Sequence, residues 1–163
     1  MSEGILTENR WRVNEGYEEV VSIAYERFAD HMLARHLLGE NPTAEAAKRA
    51  FGARGRLQSR VKDRLQAERN AGLIEALSVQ LPERVGKELF ELAPKAAHFF
   101  AVQRGFVNSL AWRASDAFSK ATSDKINALL DEGSAADDIL NAVVTLGPVP
   151  GHPLNGDKLH RIL

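Results

Sequence analysis

Apolar residues in this chain recur at intervals of three and four, and no stretch shows a convincing alternation of apolar and polar residues. That period belongs to helices lying with one side on a core, so the sequence predicts an all-α fold. At 163 residues the length suits one domain with room for an appendage, and 44% apolar residues are enough to bury a core.

The periodicity places a first long helix at 17–38, with Val20, Val21, Ala24, Phe28 and Met32 on its apolar side, ending at Gly39. Asn41-Pro42-Thr43 restarts the chain, with Thr43 as N-cap and Glu45 in the first turn of a short helix that ends at Gly52. After the tight connection Gly52-Ala53-Arg54-Gly55, a third helix is expected over 56–70, its inward stripe made by Leu57, Val61 and Leu65. The two form a helix-turn-helix pattern. The apolar piece at 73–79 reads either as a helical turn or as a small strand-like wing.

Pro82 and Glu83 are expected to open the next helix, because proline suits a first turn. Pro94 either kinks it or starts another. Residues 95–121 read as a long helix rich in aromatics. In it Phe100, Gln103, Val107, Leu110, Ala114, Ala117 and Ala121 form a seam, either for a partner helix in a homodimer or for packing within the domain. Shorter helices should follow, one capped by Ser123 and ending near Gly133, one from Ser134 to about Leu146 with Ile139, Leu140, Val143 and Val144 inside. Residues 147–156 are rich in proline and glycine, and 157–163 look like the start of a helix. The expected division is a helix-turn-helix region at 1–80, a helical core or oligomerisation region at 81–146 and a tail at 147–163.

Charge is distributed unevenly. The formal net charge is −1, yet residues 44–69 hold eight Lys or Arg against three Asp or Glu, a local excess of five positive charges. Residues 1–43 have four basic and eight acidic residues, and 70–163 nine and eleven. Surface potential is local, screened over about 8 Å at physiological salt, so the asymmetry matters more than the sum. A basic excess on a helix-turn-helix pattern is the footprint of a module that docks on phosphate backbone.

With Leu57, Val61 and Leu65 inward, the opposite side of the 56–70 helix is centred on Ser59 and Asp63. Arg56, Ser59, Arg60 and Asp63 are then expected to face base edges in the major groove. Lys48, Arg49, Arg54, Lys62 and Arg64 are expected to hold phosphates. Asp63 is discordant on such a face; it could accept from a cytosine amino group or pair with a neighbouring cation.

Other chemistry is not written here. With no cysteine, disulfides, thiolate metal sites and cysteine nucleophiles are excluded. No P-loop, Gly-x-Ser-x-Gly, His-Glu-x-x-His or dinucleotide-binding glycine pattern occurs. His31 and His36 are five apart, about 140° around a helix and wrong for shared ligation. The pairs Glu18-Glu19, Asp131-Glu132 and Asp137-Asp138 do not face one another on helices. No catalytic residue, cofactor or metal is expected. Residues 1–10 lack the apolar core of a signal peptide and no apolar run approaches membrane-spanning length, so a cytoplasmic home is expected.

The run Pro42-Thr43-Ala44-Glu45-Ala46-Ala47-Lys48-Arg49-Ala50-Phe51-Gly52, after an apolar helix ending Leu37-Leu38-Gly39, resembles the N-terminal DNA-binding domain of Kfr-type plasmid proteins. The resemblance continues through Leu81-Pro82-Glu83-Arg84-Val85 and covers roughly residues 17–120. It implies a helical, dimeric, non-enzymatic protein that binds double-stranded DNA as a plasmid-type transcriptional regulator or maintenance factor. The alternative expectation is a helical interaction or assembly protein of phage or mobile-element type that binds no nucleic acid.

Overall fold

The computed structural model describes residues 6–13, 16–23, 25–133 and 135–155, the first two stretches as backbone. The body of the protein is all-α. Ahead of it stand two antiparallel strands, β1 (Leu6–Val13) and β2 (Gly16–Ile23), in a register that runs from Leu6 opposite Ile23 to Val13 opposite Gly16. The expected first helix at 17–38 is therefore too long. Tyr17, Val20, Val21 and Ile23 are aromatic or β-branched, types that lose side-chain freedom in a helix and fit a pleated surface. Helix α1 (Glu26–Leu38) begins after them and ends at Gly39, whose φ of 87° favours glycine.

Helices α2 (Ala44–Phe51), α3 (Gln58–Val61) and α4 (Arg64–Arg69) lead into α5 (Ala71–Val85). The apolar 73–79 piece is no wing. It is the middle of α5, a helix buried nearly all round, with Leu73, Ile74, Leu77 and Leu81 inaccessible. Pro82 lies inside this helix instead of opening another. Helix α5 also runs through position 80, where a boundary between regions was expected.

Around α5 pack α1 and α7 (Phe100–Ser109). The crossing with α7 is close because Gly105 has no side chain: a Cβ there would lie 2.9 Å from Ile74 Cγ2 and 3.3 Å from the Glu75 nitrogen. Arg84 near the end of α5 donates to the carbonyls of Gly39 at 2.7 Å and Glu40 at 2.9 Å, anchoring the chain after α1.

The long helix expected over 95–121 does not form. The chain instead makes α6 (Leu89–Leu92), a 3-10 turn Pro94–Ala96, α7, and a second 3-10 turn Ser115–Ala117 before α8 (Lys120–Glu132). After α7 the chain turns Arg113 inward to a buried ion pair with Glu88. Val107 and Leu110 of the expected seam enter the chain's own core beside Phe106, Ile126 and Leu129, while Ala114 is exposed beyond the helix end. No continuous 95–121 helix remains to carry a homodimer.

Helix α8 is capped by Ser119 with Thr122, four residues before the expected Ser123, and ends at Gly133 as expected. In α9 (Ala136–Leu146), Ile139 and Leu146, seven apart, point inward. Leu140 and Val144, expected inside, are exposed. Residues 147–155 fold back on the body through buried Leu154 and His152. The helix start expected at 157–163 lies outside the described residues. Among those described, no helix is long and apolar enough to cross a membrane.

Candidate nucleic-acid interface

Helix α2 forms where its caps dictate. The Thr43 hydroxyl oxygen accepts from the Ala46 N–H at 3.2 Å, Glu45 sits at the positive end of the helix dipole, and Lys48 and Arg49 sit at the negative end. Ala47 and Phe51 face the core, which leaves Lys48 and Arg49 on the outside.

The connection to α3 is held tightly against the end of α2. Gly55 N–H donates to the Gly52 carbonyl at 2.8 Å, and Leu57 N–H to the Ala50 carbonyl at 2.9 Å. A Cβ on Gly55 would lie 2.0 Å from the Ala50 carbonyl oxygen and 2.4 Å from that of Arg49. No side chain fits there. The fold-back brings Arg54 and Arg56 beside Arg49, and together with Ala46, Ala50 and Gly55 they line an open hollow of about 390 Å³. All three arginines are exposed, and among the described residues none pairs with a carboxylate.

The helix expected over 56–70 is interrupted. Helix α3 stops at Val61, and Asp63 is extended, with φ −148° and ψ 169°. Its Oδ1 accepts from the Gln66 N–H at 2.8 Å, so Asp63 is the N-cap of α4 and not a base-facing residue of a continuous helix. The break resets the helical phase. Leu57 and Val61 are buried as expected, but Leu65 is 59% exposed and Ala67 is buried in its place.

Lys48, Arg49, Arg54, Arg56, Ser59, Arg60, Lys62, Asp63 and Arg64 are all exposed. Two of the cations have internal partners. Arg60 Nη1 donates to Asn70 Oδ1 at 3.2 Å, tying α3 to the start of α5, and Lys62 Nζ lies 3.9 Å from Asp63 Oδ2. Lys48, Arg49, Arg54, Arg56 and Arg64 form no ion pair among the described residues.

Sequence reasoning missed two further lysines. Lys87 and Lys48 line one groove of about 510 Å³ together with Glu45, Phe51, Glu91, Leu92 and Pro94, and Lys95 and Lys62 line a second groove that shares Phe51, Leu92 and Pro94 with it. Both come from segments remote from 44–69, so local charge counting could not find them. Among the described residues, no three His, Asp or Glu side chains gather as a metal site would require. Comparison with protein-family models, curated proteins and solved structures returns no match to this chain.

Proposed function

We propose that this protein binds duplex DNA, gripping the phosphate backbone with the surface made by α2, the turn at 52–57 and α3. The observation that carries the reading is the convergence of Arg49, Arg54 and Arg56 around one hollow, held there by a glycine-only contact and left without acidic partners among the described residues. Guanidinium groups suit this role because their planar donors match phosphate oxygens two at a time. The resemblance of Pro42 to Gly52 to Kfr-type proteins supports the same role for α2 and extends it to a plasmid-type regulator or maintenance factor.

Base reading is a smaller part of the proposal than phosphate binding. A groove-reading helix offers several successive turns to base edges. Helix α3 is four residues long, Arg60 on it is bonded to Asn70, and Asp63 is used in capping. Affinity should therefore depend weakly on sequence. Fluorescence anisotropy with a random-sequence duplex tests this. Wild type should bind at low salt, and the triple variant Arg49→Ala/Arg54→Ala/Arg56→Ala should bind much more weakly; absence of wild-type binding would remove the proposal.

One observation favours a second reading as an interaction protein. Phe28 and Met32 lie on one side of α1, and Tyr25 stands at its N-cap, at 46%, 47% and 55% exposure. If that face meets a second copy in a homodimer, Phe28→Glu/Met32→Glu should lower the mass measured by light scattering. An unchanged mass speaks against it.

A further inference from the structure

The groove between α3 and the turn Pro94–Ala96 has a composition that DNA binding leaves unused. Its floor is apolar, made by Phe51, Val61 and Leu92. Gln58 stands at one side, and exposed Lys62 and Lys95 contribute ammonium groups from two separate segments. No carboxylate lines the space. The acid beside Lys62 is Asp63, whose Oδ1 caps α4 and whose Oδ2 lies 3.9 Å from Lys62 Nζ. Among the described residues Lys95 has no acidic partner. The hollow measures about 260 Å³, close to the range of small-ligand clefts.

We propose that this groove binds a small organic acid, its apolar body on Phe51, Val61 and Leu92 and its carboxylate between Lys62 and Lys95. The site demands both halves. An ammonium is a compact charge with three donors, and it selects an anion but not a shape. The apolar floor rewards a hydrocarbon but not its charge. The adjoining groove at Lys48 and Lys87 makes the contrast: it is lined by Glu45 and Glu91 as well, and Lys87 already pairs with Glu91 at 2.9 Å. Its charges balance, so it has no reason to prefer an acid. A ligand in the Lys62–Lys95 groove ties α3 to the 94–96 turn, and binding only the folded state raises the melting temperature.

Sodium octanoate, kept below its micellar concentration, is a suitable probe for calorimetric titration and thermal melting of the full chain without DNA. The expected result is one saturable site and a raised melting temperature. 1-Octanol, octylammonium and inorganic phosphate should each bind at least about tenfold more weakly, since each lacks one half of the match. Lys62→Gln/Lys95→Gln should weaken octanoate by about tenfold or more, because both charge-assisted contacts are removed. Ala53→Trp, on the groove wall outside the core, should block the site sterically, and it serves if the double variant misfolds. The triple variant Arg49→Ala/Arg54→Ala/Arg56→Ala should bind octanoate as wild type does. Failure to bind octanoate at millimolar concentration, equal binding of octanol or phosphate, or undiminished binding by Lys62→Gln/Lys95→Gln would each overturn the proposal. The titration contains no DNA, so it stands or falls apart from the DNA reading.

Discussion

Glu88 and Arg113 form a buried, bidentate ion pair: Nη1 to Oε1 at 2.5 Å and Nη2 to Oε2 at 3.0 Å, with side-chain exposures of 2% and 0%. Further contacts hold both groups in place. Thr122 Oγ1 donates to Glu88 at 2.6 Å, Ser109 Oγ accepts from Arg113, and the guanidinium lies over the Phe106 ring. One carboxylate therefore joins the starts of α6 and α8 to the turn after α7.

Breaking that pair from one side leaves a buried charge unpaired. Glu88→Ala should destabilise by about 3–5 kcal/mol in urea unfolding. The double replacement Glu88→Leu/Arg113→Met should cost clearly less than the two single changes summed, since neither charge is left alone. Additive losses would contradict the coupling.

Gly55 tests how the arginine hollow is built. Gly55→Val forces the turn away from the Ala50 carbonyl and should cost about 1–3 kcal/mol, in the range of overpacking. It should also weaken DNA binding without removing any charge. A variant as stable as wild type, with full DNA affinity, would show that the close contact does not organise the surface.

Asp63 separates capping from base reading. Asp63→Ala should lower stability by about 1 kcal/mol through loss of the α4 cap. It should strengthen DNA binding modestly at every sequence, because it removes the negative charge from a basic face. A change confined to particular sequences would instead restore Asp63 as a base contact.

His152 makes the docked segment sensitive to acid. Burial against the Phe118 ring holds its pKa below the ordinary 6.5, the Leu110 carbonyl acting more weakly in the opposite sense. Its Nδ1 accepts from the Leu154 N–H at 3.1 Å, which requires that nitrogen to be unprotonated. Above the ordinary pKa both folded and unfolded forms are neutral and nothing is lost. As pH falls below it, the unfolded histidine takes up a proton that the folded one resists, so stability declines toward the folded pKa. Protection factors at 147–155, from hydrogen exchange corrected for the intrinsic rate at each pH, should fall between pH 7 and 5. His152→Phe should remove that fall, and an unchanged dependence in the variant would exclude His152 as its cause.

Some of this was legible in the residues. The Thr43 cap, the Gly52 and Gly55 turn and the inward Leu57 and Val61 all rest on local chemistry, and local chemistry decides them. The break at Asp63 was written there too, since an Asp with Gln66 three residues on is a helix-start signature. The stripe of Leu57, Val61 and Leu65 masked it: steps of four drift by about 40° each on a helix with 3.6 residues per turn, so Leu65 was already leaving the inward side. The fate of 95–121 was not legible, because the inward turn of Arg113 depends on Glu88, 25 residues away. Lys87 and Lys95 were missed for the same reason. Only tertiary packing sets them beside Lys48 and Lys62.

The central claim is that unpaired cations on α2 and the 52–57 turn hold DNA phosphates, and its most direct test is the salt dependence of duplex binding. Four such cations, Lys48, Arg49, Arg54 and Arg56, predict that log affinity falls linearly with log salt with a slope of about −3 to −4, from about 0.9 per phosphate neutralised. The Arg49→Ala/Arg54→Ala/Arg56→Ala variant should bind weakly, with a slope shallower by about 3 units. An affinity unchanged between about 50 and 200 mM salt, or a slope that the triple variant leaves intact, would contradict the account.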